Sequence, residues 1–467
     1  MEGKLDGSKN PPEWRDMPEE ILSGLLRVGL LRLGSGAENA DFQIANQSLS
    51  LFFPFLISHD VKIVPMDIGS CPVAFCTGLL NLIDHVEGEE KAASLALPGG
   101  GQGWTHQDAA MGCIGELAER VSLWTRGYKD GRVFLGDEEQ PKVAFADVIG
   151  LSDRQERAAR ERLQMEERGS THDAMCWEGL SRRRVSLRNL TNNDTFPFPS
   201  IGILFKELEQ ITGFSLSFAS SAGCAVWPTL KGARERALKE LVERDAIAQA
   251  WYNRLGITLL REGFLSEILR GSLLEFLNQR SRHWCVFSVE TDLEVHVALA
   301  VSHNGSGEHC VIGSAAAGTL VEASESALQE MLQAENSLAL MDRAYPVQPE
   351  KIGSASRVPR QLAYARNRSI FNDLPLESAA IADESQAVLS FSSDDLLQSC
   401  FDRNLRIFEF DATREDLKIP CVKLVSPDLC TWEPRFGKRR LFEGVVERGL
   451  RAVPATEAEF ASRPFPF

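Results

Sequence analysis

Apolar positions in this chain recur with two periods. Spacings of three and four mark helices, and alternation marks strands. Ile21, Leu25, Leu26 and Val28 predict an amphipathic helix over Glu19–Leu31, interrupted by Gly24 and Gly29. A second helix is predicted from Thr105, its N-cap, to Trp124. Others cover Gly232–Trp251 and Val321–Met341. Ser152–Arg168 reads as a helix polar almost all round, with Arg and Glu interleaved as solvated pairs. Ser392–Phe401 is predicted helical because Ser392 and Asp395 stand at capping-box spacing.

Ser48–Phe53, Val61–Val64 and Phe214–Phe218 read as strands. Val286–Val289 and Val295–Val301 read as a pair joined near Thr291-Asp292, and Asn304-Gly305 predicts a hairpin into Cys310–Gly313. Ala387–Phe391, Arg406–Asp411 and Val422–Val425 complete the strands. Cys71–Ile83 is apolar without a deciding period, a buried strand or a helix. Gly99–Gly103, after the apolar Ala93–Leu97, and Ser220–Gly223 read as small-residue turns, so two helices are entered alike, by strand, turn and helix. Ser170–Asp194 and Pro346–Pro375 read as loops, with Arg182-Arg183-Arg184 a solvated basic spot. Residues 1–16 carry the Pro, Gly and charge of a disordered segment.

A length of 467 residues suits one large domain with an N-terminal extension. The formal net charge of −16 argues against nucleic acid or an anionic membrane surface as partner. No apolar run approaches the roughly 20 residues of a membrane helix; Leu49–Ile57 is far shorter and contains Pro54. The polar N-terminus lacks an apolar signal core, and a cytoplasmic location is expected. The ten cysteines form no C-x-x-C pair and read as reduced core residues. The histidines form no H-E-x-x-H, which argues against a zinc enzyme.

Charge then changes the picture of two helices. Glu116-Leu-Ala-Glu119-Arg120 recurs as Glu240-Leu-Val-Glu243-Arg244. Residues three apart share a helix face, so each helix offers two carboxylates beside an arginine. Glu330 and Gln333 repeat the spacing on the Val321–Met341 helix. The residue three after Glu116 or Glu240 is Glu, whereas a di-iron bundle places His there. One copy alone reads as a solvated face with local ion pairs. Two copies and a third helix point to carboxylates that repel one another unless cations neutralise them. Mg²⁺ takes oxygen ligands together with phosphates. Arg120 and Arg244 would then meet the phosphates of a nucleoside triphosphate. Gly99–Gly103 could bring backbone N–H groups to an anion, though it does not match the P-loop pattern.

These residues resemble the YcaO family of ATP-dependent peptide-backbone-modifying enzymes. The carriers are G-Q-G-W-T-H-Q-D-A-A-M-G-C-I-G-E-L-A-E-R (101–120) and S-S-A-G-C-A-V-W-P-T-L-K-G-A-R-E-R-A-L-K-E-L-V-E-R-D-A (220–246). S-A-L-Q-E-M-L-Q (326–333), D-A-T-R-E-D-L-K-I-P (411–420), E-P-R-F-G-K-R-R-L-F (433–442) and the tail S-R-P-F-P-F follow in the family's order. The resemblance runs from roughly Pro65 onward, which makes 1–64 an N-terminal extension and 65–467 the catalytic domain, and implies a YcaO-type fold of the α/β (α+β) class whose ATP site is built from helices packed on β-sheet. It implies Mg²⁺ held at Glu116, Glu119, Glu240, Glu243 and Glu330, and ATP contacts at Gln102, Arg120, Ser221, Arg244 and Gln333. Pro464, Pro466 and Phe467 match a tail that lies by the active site in such enzymes.

The pattern is most similar to the azoline-forming cyclodehydratases of microcin-type peptide biosynthesis. There a Cys, Ser or Thr of a precursor peptide attacks the preceding carbonyl, and the oxyanion takes the γ-phosphate of ATP. Loss of phosphate leaves thiazoline or oxazoline. The resemblance also implies a leader-binding partner, ubiquitin-activating-enzyme-like or similar, and a flavin-dependent azoline dehydrogenase. Thioamide or amidine formation by the same ATP chemistry, or a scaffold role in a modification complex, are the alternatives. The chain departs from the family at Gln102, Gly112, Ala222 and Ser326, where Lys, Ser, Asn and Arg are common, and its tail has two prolines.

Overall fold

The computed structural model describes residues 17–33, 42–82, 95–136, 143–167, 182–207, 218–345 and 358–467. The disorder expected over 1–16, most of the Phe214–Phe218 strand and part of the Pro346–Pro375 loop lie outside them. The chain forms two compact units. Met1–Ser122, Val226–Leu230 and Thr413–Cys421 make the first; Leu123–Ala225, Lys231–Ala412 and Val422–Phe467 make the second.

In the first unit, α1 (Glu19–Arg27) buries Ile21 and Leu25, with Glu19 and Glu20 in its first turn and Arg27 in its last, as the helix dipole favours. Gly29, at φ 76°, stops it. Strands β1 (Leu31–Leu33) and β2 (Phe42–Ile44) pair antiparallel. The strand expected over Ser48–Phe53 is helical instead. Asn46 accepts the Ser48 N–H and starts a 3₁₀ turn over Gln47–Phe52, and Pro54 sits in the first turn of α2 (Phe53–Ser58). Pro is preorganised there, so an apolar run that looked extended coils up. Next come β3 (Val61–Met66), β4 (Ala74–Leu82) and β5 (Leu95–Gly103), an antiparallel sheet in that order. The undecided Cys71–Ile83 stretch thus holds a strand, over Ala74–Leu82. α3 (His106–Leu123) follows β5, with Thr105 accepting the Asp108 N–H at 3.1 Å as N-cap.

The second unit begins with β6 (Phe134–Leu135), α4 (Phe145–Ile149) and α5 (Asp153–Glu167). The loop expected over Ser170–Asp194 holds β7 (Arg183–Asn189), which pairs with β8 (Thr195–Pro199). Arg183 and Arg184 are buried, not solvated. Glu207 accounts for Arg183, accepting from its Nε at 2.7 Å, while the Gly127 carbonyl accepts from Nη2 at 2.8 Å. After β9 (Cys224–Val226) comes α6 (Leu230–Asn253), buried along most of its length. Then follow β10 (Ile257–Leu259), α7 (Glu262–Ile268), α8 (Gly271–Asn278), β11 (His283–Val289), β12 (His296–His303), β13 (Val311–Ala317) and α9 (Leu320–Ala344). The chain continues through α10 (Arg360–Asn367), β14 (Ala380–Ile381), α11 (Ser393–Asp402), β15 (Phe408–Asp411), β16 (Cys421–Val425) and α12 (Glu457–Ala461).

Two sheets result, ordered β13-β12-β11-β10-β14 and β6-β7-β15-β16-β9. β11, β12 and β13 are antiparallel neighbours, as the pairing and the Asn304-Gly305 signal predicted. One apolar cluster joins Leu241, Val242 and Trp251 of α6 to Val297 and Leu299 of β12 and to Val422 and Leu424 of β16. The strand expected over Ala387–Phe391 is replaced by a 3₁₀ turn over Glu384–Val388. Asp383 accepts the Ser385 N–H and turns the chain there. The capping box of Ser392 and Asp395 forms as expected. Every described cysteine is a free thiol. No helix among the described residues is long and apolar enough to cross a membrane.

Candidate functional site

Each carboxylate helix is placed by the strand before it. In the first unit the Gly99–Gly103 run is not a turn but the end of β5, paired residue by residue with β4. A Cβ on Gly101 would stand 2.0 Å from the Ala109 carbonyl oxygen, and one on Gly99 2.7 Å from Leu117 Cγ. The glycines let α3 lie against bare backbone. Glu116 therefore reaches the strand, where its Oε2 accepts the Gly100 N–H at 2.6 Å. Its Oε1 pairs with Arg120 at 2.5 Å. Glu119 is half-buried one turn further on. Gln102 alternates with Gly101 and Gly103, so its side chain leaves β5 on the face away from α3.

In the second unit, a Cβ on Gly313 of β13 would meet Met331 N at 2.2 Å and the Ala327 oxygen at 2.3 Å. α9 again lies on bare strand backbone. Glu330 accepts the Ser314 N–H at 2.6 Å. The Ser314 hydroxyl donates to Glu243 of α6 at 2.6 Å. Arg244 pairs with Glu243 and, at 3.2 Å, with Glu240. Its guanidinium carbon stands 3.6 Å from the Trp432 ring centroid. So the structure brings together Glu240, Glu243, Arg244 and Glu330, with Ser314 at the centre. Gln333 is half-buried one turn beyond Glu330, and Ser221 is exposed in the turn before β9. Among the described residues no three His, Cys, Asp or Glu side chains form a ready-made metal cage.

Burial drives the electrostatics here. Glu243 is pushed up to about 8 by desolvation; Arg244 opposes this, while Glu330 and Glu240 reinforce it. Burial works against the Arg244 charge too, but Glu243, Glu240 and Glu330 outweigh it and hold the guanidinium firmly protonated.

Setting the strand–helix pairs side by side shows a spacing that the paired E-L-x-E-R pieces alone did not reveal. Gly99, Thr105, Ala109, Cys113, Glu116 and Glu119 match Gly223, Thr229, Ala233, Ala237, Glu240 and Glu243. Gly313, Thr319, Ala323, Ala327, Glu330 and Gln333 repeat it once more. Each part has a physical role. Thr105 and Thr319 cap their helices by accepting the Asp108 and Glu322 N–H groups. Ala109, Ala233 and Ala323 are fully buried. A Cβ on each glycine would approach the residue just after its glutamate: Leu117, Leu241 or Met331.

The tail is docked in the second unit. Pro466 is buried, and Pro464 and Phe467 are half-buried. Phe467 packs edge-on against Tyr364, with ring centroids 5.3 Å apart. Phe465, absent from the sequence-derived set, is 1% exposed and stacks on Trp432 at 4.7 Å.

Residues 100–430 match the family model described as YcaO cyclodehydratase, ATP- and Mg²⁺-binding. The search of curated proteins found no match. Among solved structures, a heterocyclase in complex with substrate and cofactor has a TM-score of 0.68 at 21% identity, over 87% of this chain and 55% of that one. The chain thus spans about half the length of that heterocyclase. YcaO from Methanopyrus kandleri, bound with AMPPCP and Mg²⁺, has a TM-score of 0.53 at 17% identity, covering 85% and 90%. The E. coli microcin synthetase McbBCD complex has a TM-score of 0.54 at 15% identity, covering 87% and 96%.

Proposed function

Because the chain belongs to the YcaO family, whose model is ATP- and Mg²⁺-binding, we propose that it is an ATP-dependent cyclodehydratase of a ribosomally made precursor peptide. A substrate Cys, Ser or Thr side chain attacks the preceding carbonyl carbon and gives up its proton. The oxyanion takes the γ-phosphoryl group of ATP, releasing ADP. Phosphate then departs as the amide nitrogen gives up its proton, and the ring keeps a C=N bond as thiazoline or oxazoline. The net change in the peptide is loss of one water.

The observation that carries this reading is the Glu240–Glu243–Arg244–Ser314–Glu330 group. It offers three carboxylates and one guanidinium, with the Ser314 hydroxyl donated to Glu243. Hard-oxygen donors beside a guanidinium suit the positioning and charge neutralisation that phosphoryl transfer needs. It also suits Mg²⁺: the donors are hard oxygens, and Glu243 is buried where a bound cation would favour its ionised form. Glu116, Glu119, Glu240, Glu243 and Glu330 are the ligands we assign. When bound, the metal neutralises phosphate charge. Arg244 contacts the phosphates, with Arg120, Gln102, Ser221 and Gln333 as further nucleotide contacts. Pro464, Pro466 and Phe467 border the reacting centre. A leader-binding partner supplies precursor recognition, a reading supported by the likeness in fold to a microcin synthetase that is itself a complex. A flavin-dependent dehydrogenase would act on the product.

The test is to combine the protein, partner, precursor and Mg·ATP, then follow ADP release and peptide mass. Loss of one water per modified residue is expected. Replacement of oxygen by sulfur would assign thioamide formation instead, and an unmodified peptide with every partner would make the chain a scaffold.

A further inference from the structure

Arg244 has four carboxylates acting on it, Glu243, Glu240, Glu330 and Glu433, and any of them could draw its guanidinium away from a phosphate. One residue outside every assignment above packs against it. Trp432 lies under the guanidinium, 3.6 Å from carbon to ring centroid. The same indole stacks on Phe465 of the tail, 4.7 Å between centroids and 13° between planes.

Trp432 is itself held by α6. Asp245 Oδ1 accepts the Cys430 N–H at 2.8 Å, and the Tyr252 hydroxyl donates to the Trp432 carbonyl at 2.8 Å. That hydroxyl oxygen also accepts the Phe465 N–H at 3.3 Å. Trp251 Nε1–H donates to the Arg463 carbonyl at 3.0 Å and packs edge-on against Phe465. Arg244, Asp245, Trp251 and Tyr252 are all on α6. One helix thus carries the arginine, the supports of the indole and the dock for the tail.

We propose that Trp432 is a positioning residue: its ring orients Arg244 toward the phosphates, and Phe465 braces that ring. The tail then acts on nucleotide binding through Trp432. The inference rests on reading Arg244 as a phosphate contact, as proposed above. A cation held over an indole face keeps its charge available while its plane is restrained.

Two readouts test it on the full chain. One is calorimetric affinity for Mg²⁺ with a non-hydrolysable ATP analogue. The other is the Arg244 resonance in a ¹³Cζ-arginine spectrum, identified by its loss in Arg244→Lys. Trp432→Ala is expected to weaken analogue binding about tenfold and to move the Arg244 resonance out of the ring-current position. Trp432→Phe, which keeps an aromatic face, stays near wild type in both. Phe465→Ala weakens binding less, and Trp432→Ala/Phe465→Ala binds no worse than Trp432→Ala alone. If Trp432→Ala does not fold, Trp432→Leu keeps most of the volume, lacks the ring and gives the same result. Wild-type affinity with an unmoved resonance in the variant lacking the ring overturns the proposal, as do additive losses in the double variant. Should the wild type bind no analogue while the resonance still moves, the ATP reading fails and the stacking assignment stands.

Discussion

Glu330 accepts the backbone N–H of Ser314, sixteen residues before it, at 2.6 Å. Glu116 takes the Gly100 N–H at the same separation and distance. In each case a carboxylate on a helix is pinned to the strand that feeds that helix. The pin requires close contact, because a glutamate spans only a few ångströms. Glycine supplies the contact, and the threonine cap sets where the helix starts. Position and rotation of the acidic face then follow from the local sequence.

Gly313→Ala tests that dependence. Its Cβ would meet backbone atoms at 2.2 and 2.3 Å, which no rotamer change relieves. A loss of about 3 kcal/mol in urea denaturation is expected, since overpacking against rigid backbone exceeds the usual methyl penalty. Gly263→Ala, in α7 with open space around it, is the control and stays within about 0.5 kcal/mol of wild type.

Glu243 predicts a pH dependence with a definite sign. Below about pH 4.5 its carboxyl is protonated both folded and unfolded, and it contributes no difference. As pH rises, the unfolded chain ionises near 4.5 while the folded group, raised by burial, does so only near 8. Stability therefore falls between those values, by an amount on the order of a few kcal/mol. In metal-free buffer the Tm should drop from about pH 5 to about pH 8, and Glu243→Gln should flatten that drop. The same variant should lose ATP turnover while keeping its circular dichroism. Full turnover would remove Glu243 from the metal ligands.

Much of this was legible in the sequence. The long helices announced themselves by period, and Val286–Val301 by alternation and its turn. The paired carboxylates were visible because helical spacing is local. Gly99–Gly103 was not legible as a strand: glycine signals turns, and only the neighbouring helix shows why bulk is excluded. Arg183 misled because a basic triplet resembles a solvated face, and its partner Glu207 is 24 residues away. The Gly–Thr–Ala–Glu spacing stood in the sequence but needed the contacts to give each position a reason. Trp432 left no local signal, since Arg244 is far from it in the chain.

The Arg183–Glu207 pair gives a further test. Arg183 is 6% exposed, and Glu207 also accepts from Thr125 and, at 2.9 Å, from Ser200. Glu207→Ala strands a buried guanidinium and should lose about 3–5 kcal/mol in urea denaturation. Arg183→Met/Glu207→Leu removes both charges and should recover most of that loss. A double variant as unstable as Glu207→Ala would show that the neutral hydroxyl contacts, rather than the charge, hold this corner.

Tyr252→Phe removes one oxygen and with it two hydrogen bonds at the tail's dock: the bond to the Trp432 carbonyl and the bond from the Phe465 N–H. The ring stays, so packing against Phe436 and Phe460 is kept. Two lost hydrogen bonds in a buried setting correspond to about 1–3 kcal/mol. The effect should concentrate on the tail, whose release by carboxypeptidase is expected to quicken several-fold while the global Tm moves by a few degrees. Analogue binding should weaken in step with tail release, because Trp432 loses its carbonyl anchor and its Phe465 brace together. Tail release that quickens with no change in nucleotide affinity would separate the tail from Arg244.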